Sequence, residues 1–142
     1  MSRRTARPRS NAGPAVTAGS PCPCGLPDTY GACCGARHAG SPAPTAEALM
    51  RSRYSAFVVH DAAYLLRTWH PDTRPERLDL DEHTRWLGLE VLASTGGGPF
   101  HQEGTVEFVA SHREHGHRDS LREHSRFVRH DGAWVYVGPL PR

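Results

Sequence analysis

The chain has 142 residues, 37% hydrophobic and 23% charged, the composition of one globular domain with a small appendage rather than of a disordered chain. Its formal net charge is +2, too near zero to mark a nucleic-acid binder. No apolar run approaches the ~18 residues of a membrane helix, which argues against membrane insertion.

In chain order, residues 1–20 are rich in Arg, Pro, Gly, Ser and Ala, and Val16 is the only large aliphatic residue after Met1. Such a segment buries too little apolar surface to offset its ordering entropy and is expected to be a disordered tail, with Arg3, Arg4, Arg7 and Arg9 solvated. The basic start lacks the apolar stretch of a secretory signal, so a reducing cytoplasmic location is expected.

All four cysteines follow within Pro21–Gly35, as Cys22, Cys24, Cys33 and Cys34 in the pattern C-x-C-x8-C-C. Clustered thiols in a reducing compartment point to metal or redox chemistry, and the C-x-x-C of a redox dithiol is absent. Four thiolates suit zinc, with iron the other metal that thiolates favour. Pro21, Pro23 and Pro27 restrict the loop, and a segment this short takes its folding energy from the ion. Ala36 to Pro44 is expected to be a linker with few contacts to the rest.

Thr45 is placed to cap a helix running to about Val59, with Met50, Tyr54, Phe57 and Val58 on one face. Asp61 is placed to cap a second, Ala62 to Trp69, which Pro71 stops. A third helical turn is expected at Pro75–Leu80. The period then becomes two: strands are expected at Trp86–Ser94, Thr105–Arg113, Arg118–His130 and Ala133–Val137. Turns fall at Gly96–Pro99, His115–His117 and Asp131-Gly132. Helices followed by an antiparallel meander make an α+β fold with the helices on one face of the sheet. His112, His115, His117 and His124 crowd together, but they fit a hairpin turn better than a second metal site, because alternate positions point to opposite sides.

These residues are similar to known ones. The cysteine segment resembles the SEC-C motif, a small zinc-binding unit also found at the C-terminus of the SecA translocation ATPase. The remainder resembles the YchJ family, which joins SEC-C to a nuclear transport factor 2-like domain. The matching stretches are 49–57 (LMRSRYSAF), 61–65 (DAAYL), 68–71 (TWHP), 86–89 (WLGL), 108–110 (FVA) and 125–127 (SRF). The resemblance implies a SEC-C zinc knuckle over residues 21–40 and a nuclear transport factor 2-like (cystatin-like) cone over 45–138. It implies a concave sheet, and zinc on Cys22, Cys24, Cys33 and Cys34. It extends to no reaction. Leu26-Pro27 stands where SEC-C usually has Ser-Gly, which alters the loop but no ligand.

Strand parity puts Ser125 and Glu123 on the inward face with Phe127. Arg53, Tyr54 and His70 are their expected neighbours in a pocket of the cone, with Arg53 the cation for Glu123. The favoured function is a zinc-binding adaptor whose knuckle meets a protein partner, in secretion or at the ribosome by analogy with SEC-C. The cone would then serve as a scaffold or hold a small ligand. The alternative is a small cofactor-independent enzyme with Glu123 and His70 as acid and base.

Overall fold

The computed structural model describes residues 15–141. A 3-10 turn at Tyr30–Ala32 precedes helices α1 (Cys34–His38), α2 (Ala46–Val59) and α3 (Ala62–Arg67). Strands β1 (Thr84–Gly96), β2 (Glu103–Glu114), β3 (His117–His130) and β4 (Ala133–Pro139) follow.

Local chemistry sets the helix ends. Thr45 Oγ1 accepts the Ala48 N–H at 3.0 Å, and Glu47 lies in the first turn of α2, where the helix dipole favours negative charge. α2 stops at His60, which adopts a left-handed φ of 62°. Asp61 restarts the chain as α3 by accepting the Tyr64 N–H at 3.0 Å. Thr45→Ala is expected to lower stability by about 1 kcal/mol, read by urea unfolding. An unchanged midpoint would show that water replaces the cap.

The sheet has the order β1-β2-β3-β4 with every pairing antiparallel. His115-Gly116 and Asp131-Gly132 are two-residue turns with φ positive at both positions, the backbone that matches the twist of the flanking strands. Where β1 returns into β2 the backbones nearly touch. A Cβ on Gly104 would lie 2.4 Å from the Gly97 nitrogen, so this position admits no side chain. β1 carries an extra residue twice, between Trp86 and Gly88 and between Val91 and Ala93. The first bulge lets Trp86 face the core along with Leu89 and Val91, which strict alternation could not do. Beyond β4, the Tyr136 N–H donates to Thr68 O at 2.8 Å, and Tyr136 O accepts the His70 N–H at 2.7 Å.

α2 lies across one face of the sheet. Leu49, Met50 and Tyr54 pack on Val106, Phe108, Phe127 and Trp134. Val106 and Phe127 are wholly buried, as the alternation in their strands requires.

Several expectations are corrected. Pro75–Leu80 forms no helix; Leu78 and Leu80 instead pack singly against the Ala56, Tyr64 and Leu65 cluster. α3 ends at Arg67, two residues early, because the following backbone turns aside to bond with β4. The expected linker begins inside α1, which runs on to His38. The expected tail falls mainly on residues 1–14, outside the described residues. Within 15–20, Ser20 O accepts the Tyr30 N–H at 2.8 Å and Ala18 O accepts the Gly31 N–H at 2.9 Å, so this stretch lies against the knuckle. Among the described residues no helix is long and apolar enough to cross a membrane.

Candidate functional site

The four cysteine sulfurs all lie within 4.8 Å of one another. Cys22, Cys24 and Cys34 are buried, Cys33 is half-buried, and none is in a disulfide. The Cys22 N–H donates to Asp28 O and the Gly25 N–H to Cys22 O, which folds the first pair onto the second. Zn–S bonds of about 2.3 Å place the sulfurs of a tetrahedral shell about 3.8 Å apart. Cys24 Sγ and Cys33 Sγ stand 3.7 Å apart, so the donor set fits such an ion in both chemistry and spacing.

The thiols also differ in acidity. A hydrogen bond from Cys34 is the main cause holding Cys24 down at about 5, and that same bond, then burial, pushes Cys34 up. Burial and the neighbouring sulfurs push Cys33 up to about 11. Cys24 thus favours the thiolate while Cys33 and Cys34 hold their protons, an arrangement that a cation replacing those protons would relieve.

The knuckle is mortised into the cone. Arg51, held by Glu47 at 3.0 Å, donates from Nη1 to Cys24 O at 2.9 Å. His38 Nε2 lies 2.8 Å from Ser52 O, and Nδ1 lies 2.6 Å from the Tyr30 hydroxyl. The Ser52 carbonyl can only accept, so Nε2 carries the proton, and in the neutral ring Nδ1 accepts from Tyr30. Arg67 donates to His38 O at 2.9 Å, and Cys22 Sγ lies 3.8 Å from Ser55 Oγ. Few contacts between knuckle and cone were expected, and these overturn that expectation. One signal of this docking was present: His38 follows Cys34 by four residues and shares its helix face.

On the other side of α2 a cavity of about 220 Å³ lies between the helix and the sheet. Arg53, Tyr54, Glu123 and Ser125 line it, together with Trp69, Trp86 and Tyr136, which sequence patterning did not single out. Arg53 is 4% exposed. Its Nη1 donates to Leu65 O at 2.8 Å and Thr68 Oγ1 at 2.7 Å, at the C-terminal end of α3. Its guanidinium carbon lies 4.5 Å from the centre of the Tyr136 ring and 5.1 Å from that of Trp69. Burial lowers its pKa to about 10, so it stays a cation at neutral pH.

Glu123 Oε2 accepts the Ser125 hydroxyl at 2.6 Å and the Tyr136 hydroxyl at 2.8 Å. Burial first, then the Glu123 carboxylate, raises the pKa of Tyr136 and keeps its phenol protonated to donate. The expected Arg53–Glu123 ion pair is not formed. Arg53 is drawn to the free carbonyl of α3, and the two charges meet only through Tyr136. Glu123→Ala is therefore expected to lower stability by about 1–3 kcal/mol, because it strips the fully buried Ser125 hydroxyl of its acceptor. Denaturant unfolding reads this, and wild-type stability would mean that the hydroxyl re-pairs.

His70 is not part of the cavity lining. Its Nδ1 accepts the Asp72 N–H at 3.0 Å, and its ring packs against His130 at 4.9 Å. Glu123 and His70 therefore do not converge on one point. Among His112, His115, His117 and His124, His112 packs against Trp86 and His115 against His83. Among the described residues the cysteines are the grouping of ligand side chains close enough to share an ion.

Residues 45–139 match the family model described as YchJ, middle NTF2-like domain. The solution structure of a SEC-C motif containing protein from Rhodopseudomonas palustris is similar, with TM-score 0.74 and 36% identity over 85% of this chain and 98% of that one. The crystal structure of another from Psychrobacter arcticus has TM-score 0.72 and 30% identity, covering 88% and 84%. Fold and site together define a mixed α and β protein in which a SEC-C type cysteine cluster precedes a nuclear transport factor 2-like domain. A UPF0225 protein of Streptomyces avermitilis is 57% identical over 136 residues, 95% of this chain and 91% of that protein. One from Streptomyces coelicolor is 62% identical over 118 residues, 82% and 92%. This chain belongs to the YchJ (UPF0225) family.

Proposed function

We propose that this chain is a cytoplasmic zinc-stapled adaptor, in which the knuckle meets a protein partner and the cone is a scaffold that also holds a small ligand. The observation that carries the reading is the closed set of four sulfurs within 4.8 Å. Cys22, Cys24, Cys33 and Cys34 would fill all four positions around zinc and leave none for a reacting water, which suits a structural ion and not a catalytic one. The loop from Gly25 to Thr29 is exposed and offers Leu26, 40% exposed, at the surface of the knuckle. Acid–base chemistry by Glu123 and His70 draws no support, since the two side chains point to different places.

Protein purified under reducing conditions is expected to carry about one zinc per chain, and elemental analysis distinguishes zinc from iron. No bound metal, with every thiol freely titratable, would overturn the zinc reading. The adaptor reading is tested by co-purification of wild type against Leu26→Asp, a surface change that leaves the ligands intact. A partner retained equally by both would remove the loop from the interface.

A further inference from the structure

The polar groups of the cone cavity are arranged unequally. Both protein donors that reach Glu123, from Ser125 and Tyr136, go to the same oxygen, Oε2. Oε1 receives no hydrogen bond from the described residues. Nor is it sealed away: the buried side-chain atoms left without a partner among those residues are Trp69 Nε1 and His112 Nδ1. Two donors on one oxygen fix the carboxylate in place and present the other as an open acceptor, the stronger for its charge.

The rest of the cavity narrows what can meet it. Arg53 supplies one positive charge to the lining and Glu123 one negative, and the guanidinium feels the carboxylate. The two opposite charges leave the lining with no net charge to draw in an ion of either sign. The walls are the rings of Tyr54, Phe57, Trp69, Trp86, Phe108 and Tyr136. An apolar cavity of about 150 Å³ accepts benzene, and this one measures about 220 Å³. Leu121, 45% exposed, is a lining residue in contact with solvent and marks a way in.

We infer that the cone binds a neutral aromatic molecule of phenol to indole size, through an O–H or N–H that donates to Glu123 Oε1. This rests on the reading of the cone as a ligand holder and is independent of the metal in the knuckle.

The three tryptophans provide the test. Trp69 and Trp86 line the cavity, whereas Trp134 does not, and its Nε1 donates to Pro44 O at 3.3 Å. In a nitrogen-15 NMR titration of the full chain, phenol and indole are expected to shift the Trp69 and Trp86 indole signals saturably and leave Trp134 in place. Toluene should bind roughly ten- to hundred-fold more weakly, since it lacks the hydrogen bond to a charged acceptor. Glu123→Gln keeps a carbonyl for Ser125 and Tyr136 and turns an amide N–H₂ toward the ligand. It should weaken phenol by the same factor and tighten benzaldehyde, an acceptor of the same size. An unmoved Trp134 signal shows that the variant is folded. Toluene binding as tightly as phenol, or Glu123→Gln leaving phenol unaffected, overturns the donor assignment while the cone remains a ligand holder. Failure of every probe to move Trp69 or Trp86 overturns both.

Discussion

Arg53→Ala should destabilise the protein by about 3–5 kcal/mol, the largest loss expected from a single change outside the cysteines. Three effects combine. The side chain is 4% exposed, so truncation leaves a void in the cavity wall. The Leu65 carbonyl, which accepts Nη1 at 2.8 Å, loses that charged donor at the end of α3. The cation over the rings of Trp69 and Tyr136 is removed, and the Glu123 carboxylate loses the positive charge that faces it through Tyr136. Arg53→Lys should recover only part of the loss, because an ammonium can neither stack on an aromatic face nor offer a planar fork. Arg53→Met refills the volume without the charge and separates packing from electrostatics. Urea unfolding of the three variants measures this. A cost below about 1 kcal/mol for Arg53→Ala would place the guanidinium among exposed surface groups instead.

Removing metal from the knuckle should unsettle the whole chain, because the knuckle is part of the wall against which α2 packs. Chelation, or Cys24→Ser in its place, removes the ion that would hold a segment too small for its own core. The loop then releases Arg51 from Cys24 O and His38 from Ser52 O, and exposes Ser52 and Ser55, both wholly buried in the intact protein. Two or three such bonds at about 0.5–1.5 kcal/mol each come to about 1–4.5 kcal/mol lost from the cone. For a chain of this size that corresponds to a fall of roughly 3–18 °C in Tm. The transition should remain single and move as a unit in calorimetry. A cone that melts within about 2 °C of the loaded protein would mean that the knuckle dissociates without consequence.

What could be read in the sequence was local. The caps at Thr45 and Asp61, the turn Asp131-Gly132, and the alternation of Val106, Phe108 and Ala110 depend on neighbours a few residues away, and the structure forms them all. The parity of β3, with Glu123 and Ser125 on the side of Phe127, followed from the same period. The cysteine cluster was legible because its ligands come from one short stretch. The misreadings involve distant partners. Arg53 had two acceptors within reach, the carboxylate of Glu123 and the open end of α3, and only the packed structure shows the second prevailing. His70 follows α3 closely enough to suggest the cavity, yet its backbone is committed to Tyr136 and its ring to His130. The short α1 has five residues and no side-chain cap, too few for any periodic signal, and it exists because the cysteines close the loop beneath it.

The two bulges of β1 and the bonds from Thr68 and His70 to Tyr136 bear on how this protein can associate. An open sheet ordinarily presents two unpaired edges as templates, and a flat edge recruits other chains into shared sheets and fibres. Here Tyr136, midway along β4, already bonds through both its N–H and its carbonyl, so an incoming strand meets an occupied rung. Along β1 the extra residues at Leu87 and Leu92 break the rhythm of outward N–H and C=O groups and twist the edge away from a straight partner. Strand addition is thereby discouraged at both ends. A partner of this protein is left to recognise side chains and shape, and crowded copies of the chain have little backbone through which to polymerise.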